Sequence, residues 1–167
     1  MSDDGTTIPV IDSRSGFAAA IQWGFARAVR EGSRSRRIIL VDRDFVEWPL
    51  NEPGLHDSLA AWLRGGQRKL LMLAASFDEV PRHHPRFVAW RRHFAHVVFP
   101  YAAPEDVAAV LPTLLLDDEG TMVRLIDSVH WRGRADIDPR SALPWREQID
   151  ALLQRSEAAF PVQSLGL

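Results

Sequence analysis

Residues 82–96 hold the most concentrated group of ionisable side chains in the sequence. The segment reads Arg-His-His-Pro-Arg-Phe-Val-Ala-Trp-Arg-Arg-His-Phe-Ala-His, with four arginines, four histidines and no carboxylate. Cationic side chains near the start of a helix favour phosphate, because the exposed N–H groups there also attract negative charge. The segment therefore predicts an anion site built from these side chains: Arg82, His83, His84, Arg86, Arg92 and His93. The alternative is an arginine-rich surface that pairs with acids elsewhere in the chain, which is the commoner arrangement.

The histidines of this segment do not predict a metal site. His93 and His96 share a helix face at spacing i, i+3, but no Asp or Glu falls inside the segment to complete a ligand set such as His-Glu-x-x-His. The chain contains no cysteine, which excludes disulfides, thiolate catalysis and cysteine-ligated metal. We expect neither a metal nor another cofactor.

Two carboxylates follow a predicted buried strand at residues 38–41. Asp42 and Asp44 would face the same way on an extended segment, at the end of the strand where open α/β sheets place ligands. They could share a cation, or they could accept backbone hydrogen bonds in the turn that precedes Pro49. The second interpretation is the plainer one.

A motif near the end of the chain resembles the C-terminal core of a phospholipase D superfamily domain. The sequence Gly120-x-Met122-x4-Asp127, followed by residues 133–141 (Gly-Arg-Ala-Asp-Ile-Asp-Pro-Arg-Ser), is similar to that family's His-x-Lys-x4-Asp and Gly-Ser-x-Asn-Leu-Asp-x-Arg-Ser. A second register, Leu111-x-Thr113-x4-Asp118, fits the same spacing, but its gap to Gly133 is longer than the family allows. The first register is therefore preferred.

The resemblance implies the family's fold without its chemistry. That chemistry needs a histidine nucleophile, a second histidine as acid, and lysines that neutralise phosphoryl oxygens. Gly120 and Met122 replace the histidine and the lysine, while Arg134 and Asp136 replace Ser and Asn. The resemblance thus predicts a non-catalytic binding or interaction module that recognises a phosphate-containing ligand or a protein partner and forms a homodimer.

Two alternatives remain open at this stage. One is a phosphodiesterase or nuclease with a site rebuilt from the following residues: His83, His84, His93, His130 and Asp42. It requires two of those histidines to meet in one cleft, each oriented by a carboxylate. The other is a purely structural or regulatory module. The secondary candidates for a ligand site are Asp42, Asp44, His130 and Arg134.

Length and composition favour one globular domain over residues 1–167. The 167 residues are 46% apolar and 25% charged, with a net charge of −2, which makes nucleic acid an unlikely partner because no whole-molecule attraction exists. No apolar run reaches the length of a membrane span, and the short acidic N-terminus does not look like a signal peptide, so a cytoplasmic protein is expected.

Alternating apolar runs predict the elements that position these residues. Buried strands are expected at residues 38–41, 70–75 and 97–99, a hairpin at 113–116 and 122–126, and helices at 55–63, after Pro85 and from Pro144. This order predicts an α/β fold: a phospholipase D-like sandwich with a mostly parallel mixed sheet, helices on both faces, and a C-terminal hairpin and helix.

Overall fold

An eight-stranded mixed sheet forms the centre of the molecule, whose computed structural model describes residues 7–162. Branched apolar residues dominate the central strands because those strands are covered on both faces. The order across the sheet is β1-β7-β6-β5-β2-β3-β4-β8. The strands are β1 (Val10–Ile11), β2 (Arg37–Asp42), β3 (Lys69–Ala74), β4 (Val98–Ala102), β5 (Thr113–Asp117), β6 (Thr121–Asp127), β7 (Arg132–Ile137) and β8 (Glu157–Ala158).

Six α-helices connect and cover these strands within the described residues. They are α1 (Arg14–Val29), α2 (Pro53–Leu63), α3 (Val80–His83), α4 (Pro85–Arg91), α5 (Glu105–Ala108) and α6 (Pro139–Gln154), and a 3₁₀ turn (Arg92–Phe94) follows α4. The two longest helices have polar N-caps. Ser13 accepts the Gly16 N–H ahead of α1, and Asp138 accepts the Arg140 N–H ahead of α6.

The sheet separates two hydrophobic cores. The larger core packs α1, α2 and α4 against one face, and its fully buried rings include Phe17, Phe25 and Phe87. The smaller core packs Ala142 and Ile149 of α6 against the other face. The expected α/β architecture with helices on both faces is confirmed.

The prediction of a mostly parallel sheet is wrong. Only β2–β3 and β3–β4 run parallel in the described part of the chain, while five other pairings are antiparallel. After α5 the chain turns back three times through β5, β6 and β7. The sequence signals the first hairpin, but β7 lacks a clear apolar pattern because it lies beside the two-residue edge strand β1.

Two prolines lie inside elements that they were expected to bound. The final helix begins at Pro139 rather than at Pro144, because Asp138 supplies the N-cap and Pro139 suits the first turn. Strand β4 continues through Pro100, whose carbonyl accepts the Ala159 N–H, so the edge strand β8 does not need the missing proline N–H.

Strands β2, β3 and β4 run in one direction, so all three end at one edge of the sheet and begin at the other. At the edge that we call the switch edge, β2 ends beside the start of β5, with Val41 opposite Leu114. Strand β2 has the parallel neighbour β3 on one side and the antiparallel neighbour β5 on the other, so the strand direction reverses between β2 and β5. At the opposite edge, the amino edge, β2, β3 and β4 all begin.

Candidate functional site

The six side chains that the sequence assigns to an anion site do not converge in the structure. Arg82 and His83 lie on the exposed surface of α3, where both approach the Glu79 carboxylate at 3.7 Å and 3.3 Å. This pairing matches the alternative interpretation of the segment, an arginine-rich surface that pairs with acids of the same chain. Their charges are therefore partly compensated within one turn of helix.

His84 is a buried structural residue rather than a ligand for an anion. Only 4% of its surface is exposed, and its Nε2–H donates to the Phe45 carbonyl at 2.7 Å. Because a carbonyl can only accept, this bond fixes the proton on Nε2 and leaves Nδ1 buried without a partner. Burial lowers the pKa of His84, so the ring is neutral at pH 7.

The start of helix α4 is also closed to phosphate. The Asn51 side-chain oxygen accepts the backbone N–H groups of Arg86 and Phe87 at 2.7 Å and 3.4 Å. Those are the groups that a bound anion would use at a helix N-terminus. The Arg86 side chain is exposed on this surface but has no anion cradle beside it.

Arg92 and His93 belong to the 3₁₀ turn, and a pocket lies between this turn and the end of α2. We call it the basic pocket. Its volume is about 540 Å³. His93 lines it and Arg92 precedes it in the same turn. The lining residues are Asp57, Ala60, Leu63, Arg64, Trp90, His93, Phe94, His96 and Val97.

Stacked rings form one wall of the basic pocket. The His56 and Trp90 rings lie 5.6 Å apart at 19°, and the Trp90 and Phe94 rings lie 4.6 Å apart at 25°. His56 is buried and holds the Leu50 carbonyl at 2.6 Å, which anchors the inner end of the stack. Trp90 and Phe94 are partly exposed and line the pocket.

One arginine and two histidines without carboxylate partners in the described chain surround this wall. Arg64, His93 and His96 line the pocket, and within residues 7–162 none of the three has a carboxylate within 4.0 Å. Asp57 is the single acid among the lining residues that the structure describes. Lys69 begins β3 at the same edge, so the positive potential extends beyond the pocket.

A second concavity, the switch-point cleft, lies where β2 ends and β5 begins. Its volume is about 390 Å³. The sheet direction reverses here, which is where open α/β folds ordinarily bind ligands. Its lining is polar and aromatic: Phe17, Asp42, Arg43, Asp44, Glu47, Trp48, Ala109, Leu111, Thr113, Leu125, Ser128 and Trp131.

The carboxylate of Asp42 is occupied by its own turn. One oxygen accepts the Phe45 N–H at 2.8 Å and the Asp44 N–H at 3.4 Å, and the other accepts the Thr113 hydroxyl at 2.5 Å. Burial raises the pKa of Asp42 despite these hydrogen bonds. The bonds hold Phe45 in a left-handed conformation with φ of 61°. Asp42 thus performs the backbone role that the sequence favoured.

The phospholipase D-like motif lies partly away from this cleft. Gly120 sits in the turn between β5 and β6 at the amino edge, and Met122 is packed in the smaller core with 4% exposure. The residues of the second register, Leu111 and Thr113, line the switch-point cleft instead. Neither a histidine nor a lysine lines the cleft.

The remaining candidates serve local structure. Asp127 accepts the His130 Nδ1–H at 2.9 Å and two backbone N–H groups of the β6–β7 turn, and hydrogen bonds from His130 lower its pKa. Arg134 approaches Asp136 at 3.4 Å on β7. The pairing of two histidines in one cleft, each oriented by a carboxylate, is not found among the described residues.

Residues 7–162 contain no group of three or more His, Cys, Asp or Glu side chains that could hold a metal ion. None of the helices in that range is long and apolar enough to cross a bilayer.

Sequence reasoning missed Arg64, His96 and the stacked wall. Arg64 lies some 30 residues before His93, and only the packing of α2 beside α4 brings them into one pocket. The helical spacing of Phe87, Trp90 and Phe94 is typical of residues that anchor a core. All three rings pack in or against the larger core, but only Phe87 is fully buried, and the other two also reach the surface.

Comparisons with known proteins identify a fold neighbour. No family model and no curated protein sequence match the chain. Among solved structures, that of TrmBL2, described as an archaeal chromatin protein with a novel mode of DNA binding, matches with a TM-score of 0.64 at 12% sequence identity. The match covers 95% of this chain and 56% of that one, so the chain spans little more than half of that structure.

Proposed function

We propose that the protein is a non-catalytic binding module with a phospholipase D-like fold, which holds a phosphate-containing ligand in the basic pocket. The observation that carries the proposal is the set of hydrogen-bond donors around this pocket, the Arg64 guanidinium and the His93 and His96 imidazoles, which lack carboxylate partners in the described chain. An unpaired guanidinium beside further donors in a concave surface favours an external anion, since a paired one would already be compensated.

The switch-point cleft supports binding rather than catalysis as the function. Its Asp42 is held by three internal hydrogen bonds, and neither a histidine nor a lysine of the described chain lines it. In the preferred register of the motif, Gly120 and Met122 stand where the resembled family has His and Lys. Neither residue offers a nucleophile or a positive charge to a phosphoryl oxygen.

The likeness to TrmBL2 bears on the fold alone. That protein is described as binding DNA, but at 12% identity the likeness does not transfer a ligand. The anion proposal therefore depends on the pocket of this chain. The homodimer implied by the family resemblance stays a prediction, which sedimentation equilibrium would test.

Calorimetric titration with inorganic pyrophosphate tests the proposal. We expect saturable binding by the wild-type protein, weakened about tenfold or more in a variant that carries Arg64→Ala with His93→Ala, because charge-assisted hydrogen bonds are lost. Arg140→Ala is the matched control, since this exposed arginine lies on α6 outside the pocket. Absence of binding, or equal loss in the control, would contradict the proposal.

A further inference from the structure

We infer that the ligand of the basic pocket is a mononucleotide, whose base stacks on Phe94 and whose phosphate is held by the surrounding cations. This inference rests on the proposed function, because it identifies the chemical class of the anion in the same pocket. It adds a second element of recognition, an aromatic surface, to the positive charge.

The geometry of the stacked wall supports a planar ligand. His56, Trp90 and Phe94 form a column in which successive rings are 5.6 Å and 4.6 Å apart and inclined by 19° and 25°. Phe94 is the outermost member, and Trp90 is its one ring neighbour in the described chain. A nucleobase placed on Phe94 would continue the column at ordinary stacking distance.

The core leaves part of this column accessible. Phe87, one turn before Trp90, is fully buried and fills the core beneath α4. Trp90 and Phe94 pack against the same core but remain partly exposed, and both line the pocket. Exposed aromatic rings beside unpaired cations are the combination that proteins use to hold single nucleotides and unpaired bases.

The charges of the pocket match the two ends of a nucleotide. Arg64, His93 and His96 supply donors for a phosphate group. Asp57 would repel a phosphate, but its carboxylate can accept hydrogen bonds from ribose hydroxyls or from an exocyclic amino group. The acid beside Arg64 is therefore compatible with a nucleotide, whose hydroxyl and amino groups can donate to it.

The size of the basic pocket fits this class of ligand. Its volume of about 540 Å³ lies within the roughly 300–1,000 Å³ that small-molecule sites occupy. The pocket is closed on one side by α2 and on the other by the 3₁₀ turn. Such a site has room for one base, one ribose and one phosphate.

Calorimetry at one ionic strength with three probes separates this inference from the proposed function. The probes are AMP, ribose 5-phosphate and inorganic pyrophosphate. We expect AMP to bind about tenfold more tightly than ribose 5-phosphate, because only AMP has a base that can stack. Phe94→Leu should reduce the affinity for AMP to that for ribose 5-phosphate and leave pyrophosphate unchanged, whereas Phe94→Tyr should preserve the preference.

The outcomes are distinct. Equal affinity of the wild-type protein for AMP and ribose 5-phosphate, with pyrophosphate still bound, overturns the nucleotide and leaves the anion site. Failure of all three probes to bind overturns both. An oligothymidylate of eight residues that binds at least about tenfold more tightly than AMP would overturn the mononucleotide in favour of a single strand. The comparison of ligands on the wild-type protein does not depend on the folding of any variant.

Discussion

Replacement of Gly120 by alanine should destabilise the protein far more than the same replacement at other glycines with left-handed backbones. Gly120 has φ of 88°, and a Cβ built there would lie 2.5 Å from the Pro139 nitrogen and 2.8 Å from the Asp138 carbonyl carbon. Gly32 and Gly66 have φ of 84° and 78°, but their Cβ positions meet nothing within 4 Å. The three positions therefore share the conformational cost and differ in the steric one.

The two costs can be estimated separately. A left-handed conformation costs a residue with a Cβ about 1–2 kcal/mol, which is the whole effect expected at Gly32 and Gly66. At Gly120 the backbone of Asp138 and Pro139 must also move, and overpacking of this kind adds about 1–3 kcal/mol. Together the two costs span about 2–5 kcal/mol, and their central values sum to about 3–4 kcal/mol, which is the loss expected for Gly120→Ala.

Urea unfolding followed by circular dichroism measures the difference. With a slope of about 2 kcal/mol per molar urea, the midpoint should fall by about 0.5–1 M for Gly32→Ala and Gly66→Ala. For Gly120→Ala it should fall by about 1.5–2 M. Equal midpoints for all three variants would refute the reasoning. Gly120→His, which restores the histidine of the first motif register, should be at least as destabilised.

Three further predictions concern buried ionisable groups. Because burial raises the pKa of Asp42, the charged carboxylate destabilises the folded state at any pH above the pKa of Asp in the unfolded chain, and acidification relieves this cost. Asp42→Asn should therefore be at least as stable as wild type at pH 7 in urea unfolding. Asp42→Ala leaves the Thr113 hydroxyl without its acceptor and should lose about 2–3 kcal/mol of unfolding free energy. Because burial lowers the pKa of His84, this histidine is protonated at a higher pH in the unfolded chain than in the folded one, so stability should fall as the pH drops below about 6.5. The urea midpoints at pH 7 and pH 5 should therefore differ less in His84→Phe than in wild type. Arg91 is 5% exposed, donates to the Phe160 carbonyl, and lies with its guanidinium 4.8 Å from the centre of the Phe160 ring. Arg91→Met should therefore cost about 1–3 kcal/mol of unfolding free energy and speed proteolysis near Phe160. Unchanged cleavage would contradict the anchoring of Phe160 by Arg91.

The central strands could be predicted from sequence because their burial leaves a direct trace. Strands β2 and β3 were expected at residues 38–41 and 70–75 and lie at Arg37–Asp42 and Lys69–Ala74. Both are covered on two faces, so their residues are apolar without a break. Strand β7 could not be found this way, since four of its six residues are Arg, Gly, Arg and Asp, and its position depends on pairing with β6.

The candidate site was only partly predictable for a related reason. Of the six side chains of residues 82–96 predicted to hold an anion, His93 lines the basic pocket. The segment nevertheless divides in the structure, because the helix breaks at His84 and separates a surface that pairs with Glu79 from the end that faces α2. Whether a cation finds a partner depends on neighbours distant in sequence, and these are invisible in a local pattern.

Net charge is a poor guide to ligand preference in this molecule because the acids of the switch-point cleft are remote from the basic pocket. Asp42, Asp44 and Glu47 lie at the switch edge, whereas Arg64 and His93 lie at the amino edge. Strand β2 is 6 residues long, so about 20 Å separates the two groups. Screening reduces interactions between exposed charges beyond about 8–10 Å at physiological salt. An anion in the basic pocket is therefore attracted by Arg64 and scarcely repelled by the acids of the cleft, and Asp57 is the acid that it meets among the lining residues. The net charge of −2 for the whole chain does not describe this local balance.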